Sequence, residues 1–285
     1  MIMKALPLNL VYLKYFCDAV RHSSISLSAK ENFVSQSAIS QGITKLEQAL
    51  GKELIFHCSN RFRVTHDGQM VFESAKAIFE SMRDLENTLH AKDGEIFGKI
   101  EFACTHSFAL AILPEFLVRM KNEWPNIHIN FRLAHTDVIK ELLKKGLIDF
   151  GIVLDNEDFS SFSCRELYCG NYGLYVAKNN NNEDLPFILS EQRLEINTLK
   201  AAYQTKFKKE INVLMEVSSW EVIASLTEAG LGIGFFPDYV ALRRNKYLKP
   251  YEVDLKPIQY RILAILEKSR KIPKTIELFL DRLFG

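Results

Sequence analysis

No apolar run in this chain reaches the roughly 20 residues that a membrane-spanning helix needs, so no membrane association is expected. The short apolar stretch from Ala5 to Leu13 is broken by Pro7 and Asn9. It lacks a small-residue cleavage site, so a secretory signal is not expected either. Cysteine is scarce and odd in number. Cys17, Cys58, Cys104, Cys164 and Cys169 show neither zinc-ligand spacing nor a disulfide framework. Reduced thiols and a cytoplasmic location are the expectation. P-loop, metal and nicotinamide fingerprints are absent, so neither cofactor nor metal is expected. There is little net charge, +1 over 285 residues, and no low-complexity tract beyond four asparagines at 179–182.

The small net charge hides an asymmetry. Residues 1–65 hold eight Lys/Arg against four Asp/Glu, which leaves the remainder mildly acidic. A basic N-terminal module on an acidic body fits a nucleic-acid-binding head.

The most informative stretch runs from Ser35 to Leu50. Wound as a helix, it puts Ile39, Ile43, Leu46 and Leu50 on one face. The opposite face carries Ser37, Ser40, Gln41, Thr44 and Gln48. A solvated helix face is ordinarily rich in Lys and Glu, which are better helix formers than Ser or Thr. An uncharged hydrogen-bonding face can instead meet base edges or phosphates without desolvating a carboxylate. Around it, the pattern predicts a first helix from about Asn9 to Arg21 and a short second one capped by Ser26. Phe33 and Val34 make the turn, Ser35 caps the third helix, and Gly51 ends it. This is a helix-turn-helix.

Residues 53–64 place short apolar pieces on both sides of Cys58-Ser59-Asn60-Arg61, as a β-hairpin would. A hairpin there is the wing of a winged helix, with Arg61 and Arg63 on its tip and return arm. Thr65 then caps a long helix reaching about Lys92. Its Val71, Ala75, Ile78, Met82, Leu85 and Leu89 alternate by four and three, the period of a coiled-coil seam. Asp93-Gly94 break it. From Gly98 strands and helices alternate. The pattern predicts strands at 100–104, 127–133, 149–154, 172–177, 186–189, 213–217, 230–237 and 260–266. Helices are predicted at 109–123, 137–145, 220–229 and 273–283. This is an α/β arrangement with parallel pairing.

These pieces together resemble the LysR-type transcriptional regulators along nearly the whole chain. Leu10, Leu13, Tyr15 and Phe16 resemble the family's opening "L-x-x-L-x-Y-F". Val34-Ser35-Gln36-Ser37-Ala38-Ile39-Ser40, then Ile43, Leu46-Glu47 and Leu50-Gly51, resemble "V-S-Q-P-A-L-S-x-x-I-x-x-L-E-x-x-L-G". Val64-Thr65 and Gly68 resemble the start of the linker helix. Gly146 to Val153 resembles "G-x-L-D-x-A-I-V", and Ala229 to Gly234 with Pro237 resembles "A-G-x-G-I-x-x-x-P". Three departures stand out. Ser37 replaces a usual Pro or Ala. Gln41-Gly42 replaces a frequent Arg-Gln pair and so removes one expected phosphate or guanine contact. His57 replaces a usual Arg.

The resemblance implies a winged helix-turn-helix over residues 1–65, a linker and dimerisation helix over 66–93, and an effector-binding domain over 94–285. That domain should resemble a periplasmic binding protein, with lobe I at about 94–167 and 255–285 and lobe II at about 168–254. It implies a double-stranded DNA partner, homodimers or homotetramers, and contact with RNA polymerase. It also implies a small-molecule effector between the lobes, expected to be anionic. The DNA-contact candidates are Gln36, Ser37, Ser40, Gln41, Thr44, Arg61 and Arg63. The effector candidates are Thr105, His106, Ser107 and Phe108, at a strand-to-helix junction that suits an anion, with Ser218 and Ser219. Ser107 or Thr105 offers a hydroxyl to a carboxylate; a plain N-cap by Ser107 is the alternative. Cys104 beside His106 does not make a catalytic pair unaided, and no enzyme activity is expected. The rival reading is a solute-binding or enzymatic α/β protein with a helix-turn-helix head.

Overall fold

The computed structural model describes residues 8–56, 61–90, 96–180, 185–191, 193–268 and 272–284. The chain forms two compact units, one drawing on residues up to Glu95 and the other on Ile96–Leu143 and Ile148 onward.

In the first unit, α1 (Leu10–His22), α2 (Ile25–Glu31) and α3 (Gln36–Leu50) pack around Leu13, Phe16, Ile39, Ile43 and Leu46. Each of these side chains is buried to 3% exposure or less. Each core aliphatic or aromatic of this kind stabilises by about 1.5–3 kcal/mol. The caps are made by side chains: Asn9 accepts from Val11 N at 2.8 Å, and Ser35 from Ala38 N at 3.2 Å. Ser24, not Ser26, caps α2, accepting from Leu27 N at 3.2 Å. The cap falls two residues earlier than expected because the chain reverses at Ser23, in the left-handed region, directly before Ser24. Gly51 ends α3 at φ +65, where a Cβ would be strained.

The hairpin arms meet through Phe56 N to Arg63 O and Thr65 N to Leu54 O, both 3.0 Å, around a bridge between Ile55 and Val64. Of the expected turn Cys58-Ser59-Asn60-Arg61, the first three residues lie outside the described residues, as does His57. Glu47 at the end of α3 fastens the first arm, accepting from Leu54 N at 2.7 Å and Ile55 N at 3.2 Å. Thr65 caps α4 (His66–His90) by accepting from Gly68 N at 2.9 Å. Lys92 and the Asp93-Gly94 break lie outside the described residues. The apolar stripe of α4 divides. Ala75 is buried in the head's own core and Val71 packs against it, whereas Ile78, Met82 and Leu85 are exposed; the Leu89 side chain lies outside the described residues.

The second unit opens with β1 (Gly98–Cys104), α5 (His106–Ala111), α6 (Leu113–Glu123), β2 (Ile127–Leu133), α7 (Thr136–Lys144) and β3 (Phe150–Leu154). One helix was expected from 109 to 123. It is two, starting earlier and breaking at Ile112, because Pro114 has no N–H to return to Leu110. Then come β4 (Phe162–Ala177), β5 (Phe187–Leu189), α8 (Leu194–Phe207), β6 (Val213–Glu216), α9 (Trp220–Glu228) and β7 (Ile233–Pro237). The chain closes with α10 (Asp238–Leu242), β8 (Leu248–Pro250), β9 (Ile258–Glu267) and α11 (Lys274–Arg282).

The sheet order is β2-β1-β3-β9-β4-β7-β5-β6, with β8 on β4. Two lobes follow from this order. β1, β2 and β3 are parallel in one, and β5, β6 and β7 are parallel in the other. The long antiparallel pair β4–β9 runs between them, with a bulge between Glu166 and Tyr168. The sequence reading began β4 at Tyr172 and so missed its first ten residues. Their alternation is polar, because this part of the strand is largely exposed. It also missed α8, whose apolar residues are scattered around the helix: Leu194 is exposed while Ile196 and Leu199 are buried. The short α10 and β8 escaped it too.

Candidate nucleic-acid interface and ligand cleft

α3 separates its two faces as its sequence requires. Ile39, Ile43 and Leu46 are fully buried, and Gln36, Ser37, Ser40, Gln41 and Thr44 are all exposed. Two of these hydroxyls have local partners. Ser37 Oγ lies 2.9 Å from Ser35 Oγ, and Thr44 Oγ1 donates to Ser40 O at 3.0 Å. Lys45, which was not among the candidates, is also exposed, with Nζ 5.6 Å from the Tyr12 ring centroid. Arg61 and Arg63 are exposed on the return arm of the hairpin.

Gly42, the second residue of the Gln41-Gly42 departure, is a packing position, whereas Gln41, which stands where the Arg is frequent, is exposed. Gly42 is buried, and a Cβ there would stand 2.8 Å from Tyr15 Cδ2 and 3.1 Å from Tyr12 Cδ1. The position faces α1 rather than outward, so the glycine permits close helix packing. Beneath the turn, Asp18 is buried yet satisfied by Lys14 Nζ at 2.7 Å and Asn32 Nδ2 at 2.9 Å.

In the second unit, four strand-to-helix junctions and the β3–β4 connection open onto one cleft of about 610 Å³. In parallel sheets the carboxyl ends of the strands point the same way, so loops leaving them gather at one edge. From lobe I come Thr105, His106 and Ser107 after β1, Leu133 to Asp137 after β2, and Asn156 and Glu157 after β3. From lobe II come Arg193, Leu194 and Glu195 at the start of α8, and Ser218, Ser219 and Trp220 at the start of α9. The volume suits a small molecule.

Of the sequence candidates, Thr105, His106, Ser107, Ser218 and Ser219 line this cleft. Phe108 does not. It is buried in the core, 6.2 Å from Phe284 ring to ring, because it falls on the inward side of α5. The N-cap position of α5 is Thr105, not Ser107, and it makes no side-chain cap bond. The buried Ser107 Oγ instead shares a 3.0 Å hydrogen bond with Tyr239 OH on α10, tying the two lobes together. Three lining side chains have a buried oxygen with no hydrogen-bond partner: Thr105 Oγ1, Asn156 Oδ1 and Glu195 Oε1. Arg193 lies with its guanidinium carbon 5.1 Å from the Trp220 ring centroid. Lys140 holds Glu157 at 2.7 Å. Sequence reading missed Asn156, Arg193, Glu195 and Trp220, since no motif or spacing links residues so far apart in the chain. Cys104, at the end of β1, is fully buried, and burial pushes its thiol up to about 12, which removes it as a nucleophile. Asp149 is structural, accepting from Glu101 N at 2.8 Å.

Residues 10–69 match the bacterial regulatory helix-turn-helix protein, lysR family, and residues 93–284 match the LysR substrate binding domain. The HTH-type transcriptional activator CmpR of Synechocystis sp. is 26% identical over 283 residues, spanning 95% of this chain and 93% of that protein. The HTH-type transcriptional activator IlvY of Haemophilus influenzae is 21% identical, spanning 93% and 95%. Among solved structures, a full-length cysteine variant of OxyR from Pseudomonas aeruginosa aligns with a TM-score of 0.69 at 15% identity, over 97% of both chains. CrgA from Neisseria meningitidis aligns at 0.55 and 18% identity, over 97% of this chain and 98% of that one. At these identities the structural likeness speaks to the fold alone.

Proposed function

We propose a division of labour for this chain, which belongs to the LysR family of transcriptional regulators. It is a DNA-binding regulator modulated by an effector, and residues 1–65, 66–93 and 94–285 take the reading, pairing and sensing roles. The observation that carries the reading role is the exposed, uncharged, hydrogen-bonding face of α3 above a fully buried apolar one. Gln36 and Gln41 have the amide geometry to pair with adenine, while Ser37, Ser40 and Thr44 suit base edges or phosphates. Arg61 and Arg63 supply cations to the backbone or minor groove.

The exposed Ile78, Met82 and Leu85 on α4 support pairing with the same helix of a second copy, as a dimer or a tetramer. The 610 Å³ cleft supports an effector site formed by Thr105, His106, Ser107, Ser218 and Ser219, to which Asn156, Arg193, Glu195 and Trp220 are now added. Effector binding would bias the arrangement of the paired subunits and so alter DNA bending or contact with RNA polymerase. A cytoplasmic regulator without catalytic activity is the corresponding reading of the whole chain.

A gel-shift titration with DNA upstream of the neighbouring gene tests it. Specific binding is expected, and Arg61→Ala should reduce the slope of log affinity against log salt by about one. An unchanged slope rejects the role of Arg61. Failure to bind any such DNA, together with turnover of a metabolite, supports the enzymatic alternative.

A further inference from the structure

We propose that the ligand of the cleft carries a protonated amine, held by the carboxylate of Glu195. This inference rests on reading the cleft as an effector site and names the chemistry of its ligand.

Glu195 is the observation that decides. It stands in the first turn of α8, is only 4% exposed, lines the cleft, and leaves Oε1 without a hydrogen-bond partner. A buried carboxylate oxygen with no donor is costly unless something supplies one. Burial pushes the carboxyl up, and the hydrogen bond from its own backbone N–H and the charge of Arg193 only partly oppose that shift. Arg193 stands two residues before it, yet its guanidinium lies over Trp220 and forms no ion pair with Glu195 among the described residues. The cost of burying Glu195 is therefore only partly compensated by the protein, and a ligand cation is the partner that supplies the rest.

The rest of the lining agrees in sign. Asp137, Glu157 and Glu195 stand against Arg193, the one Lys or Arg among the described lining residues, which also include His106 and His135. Lys140 engages Glu157, but Asp137 and Glu195 still outnumber the guanidinium. The two other unpartnered oxygens, Thr105 Oγ1 and Asn156 Oδ1, also accept hydrogen bonds. An ammonium brings three N–H donors and no acceptor, so it answers acceptors and leaves none of its own groups idle. Thr105 and Asn156 can also donate, the first by rotating its hydroxyl and the second by turning its amide. They tolerate either sign, and Glu195 sets it. The expected anion site at the β1–α5 junction is weakened correspondingly. α5 is only six residues long, and the Ser107 hydroxyl is already engaged by Tyr239.

The test uses three probes of one chain length: 1,6-diaminohexane, 6-aminohexanoate and adipate. Each is titrated at millimolar concentration into the purified full chain, with binding read by ligand-observed NMR and by melting temperature. At least one amine-bearing probe should bind saturably, and adipate should not. Glu195→Gln should weaken amine binding by about tenfold or more, the cost of losing a charged hydrogen bond. Because glutamine removes an unpaired buried charge, the ligand-free variant should melt at the same or a higher temperature. A carboxylate needed only for folding would give the opposite result. Adipate binding that survives Glu195→Gln overturns the proposal, since a neutral amide can still donate to an anion. Amine binding indifferent to Glu195→Gln, or no binding of any probe, also overturns it. The effector-site reading is judged separately by Ser219→Trp, which should obstruct the cleft. Adipate binding abolished by that change removes only the amine, while probe binding that ignores both changes removes the cleft as well.

Discussion

The head and the body of this protein carry their candidate sites in opposite ways. In the head, the proposed reading face lies within one helix, α3, so neighbours on the face are three or four residues apart in sequence. In the body, the cleft is assembled from five junctions spread from Thr105 to Trp220. The head's site is a local consequence of helical period, whereas the body's site exists only when the parallel strands bring their carboxyl ends to one edge. A face on one helix can change one residue at a time without altering the fold. A cleft built from loop ends depends on the sheet beneath it.

The comparison can be broken most sharply through the two thiols that are buried among the described residues. Cys17 lies in the head and Cys104 in the body, and burial pushes each up to about 12 from 9.0. At neutral pH, three pKa units mean about a thousandfold less thiolate, the reactive form. In a Cys58→Ser background, the exposed Cys164 and Cys169 should label with a thiol reagent far faster than either buried thiol. Cys17 and Cys104 should then label at separate rates under mild denaturant, each reporting the opening of its own unit. Equal rates would mean that the two units open as one.

Next in size is Ser40→Glu. It places a carboxylate on the exposed face of α3, where phosphates are expected, and should cost about 3 kcal/mol, or about a hundredfold in DNA affinity. Gel shift at fixed salt reads the loss, while the melting temperature should hold because Ser40 is exposed. An affinity within about twofold of wild type would take the reading role away from this face.

Gly42→Val asks the opposite question of the same helix. Its side chain would meet the Tyr15 and Tyr12 rings, so the head should lose about 1–3 kcal/mol of stability to overpacking. Thermal melting checks this, and the cleft's ligand binding should be unaffected. A neutral outcome would return position 42 to the outward face.

The smallest expected effect is at the turn before α3. Phe33 has φ +55 and is 95% exposed, a conformation that suits Asn or Gly better than an aromatic residue. Phe33→Asn should raise head stability by a few tenths of a kcal/mol up to about 1 kcal/mol. A fall in melting temperature would mean that the phenyl ring makes contacts worth more than its backbone strain.

The legibility of each region follows the same division. Ser35, Gly51 and Thr65 were readable as helix punctuation because capping needs a particular side chain at a particular place. Pro114 was visible in the sequence, yet the break it makes at Ile112 was missed because the apolar period continues through it. The exposed half of β4 and the unstriped α8 were invisible to periodicity, which reports only elements with one wet face and one dry one. Ser107 was legible as a junction residue, but its partner Tyr239 was not, since the two meet only through the fold.

The sequence by itself determined the helix-turn-helix head, the polar face of α3, the α4 helix and the alternating α/β order. Those features depend on side chains a few residues apart, which the chain brings together as soon as it winds. Tertiary structure alone decided that Gly42 faces α1, that the stripe of α4 is half buried and half exposed, and that Glu195 lines the cleft beside Arg193 and Trp220. Burial, charge pairing and an unpartnered oxygen are properties of neighbours distant in sequence, and only packing determines which neighbours those are.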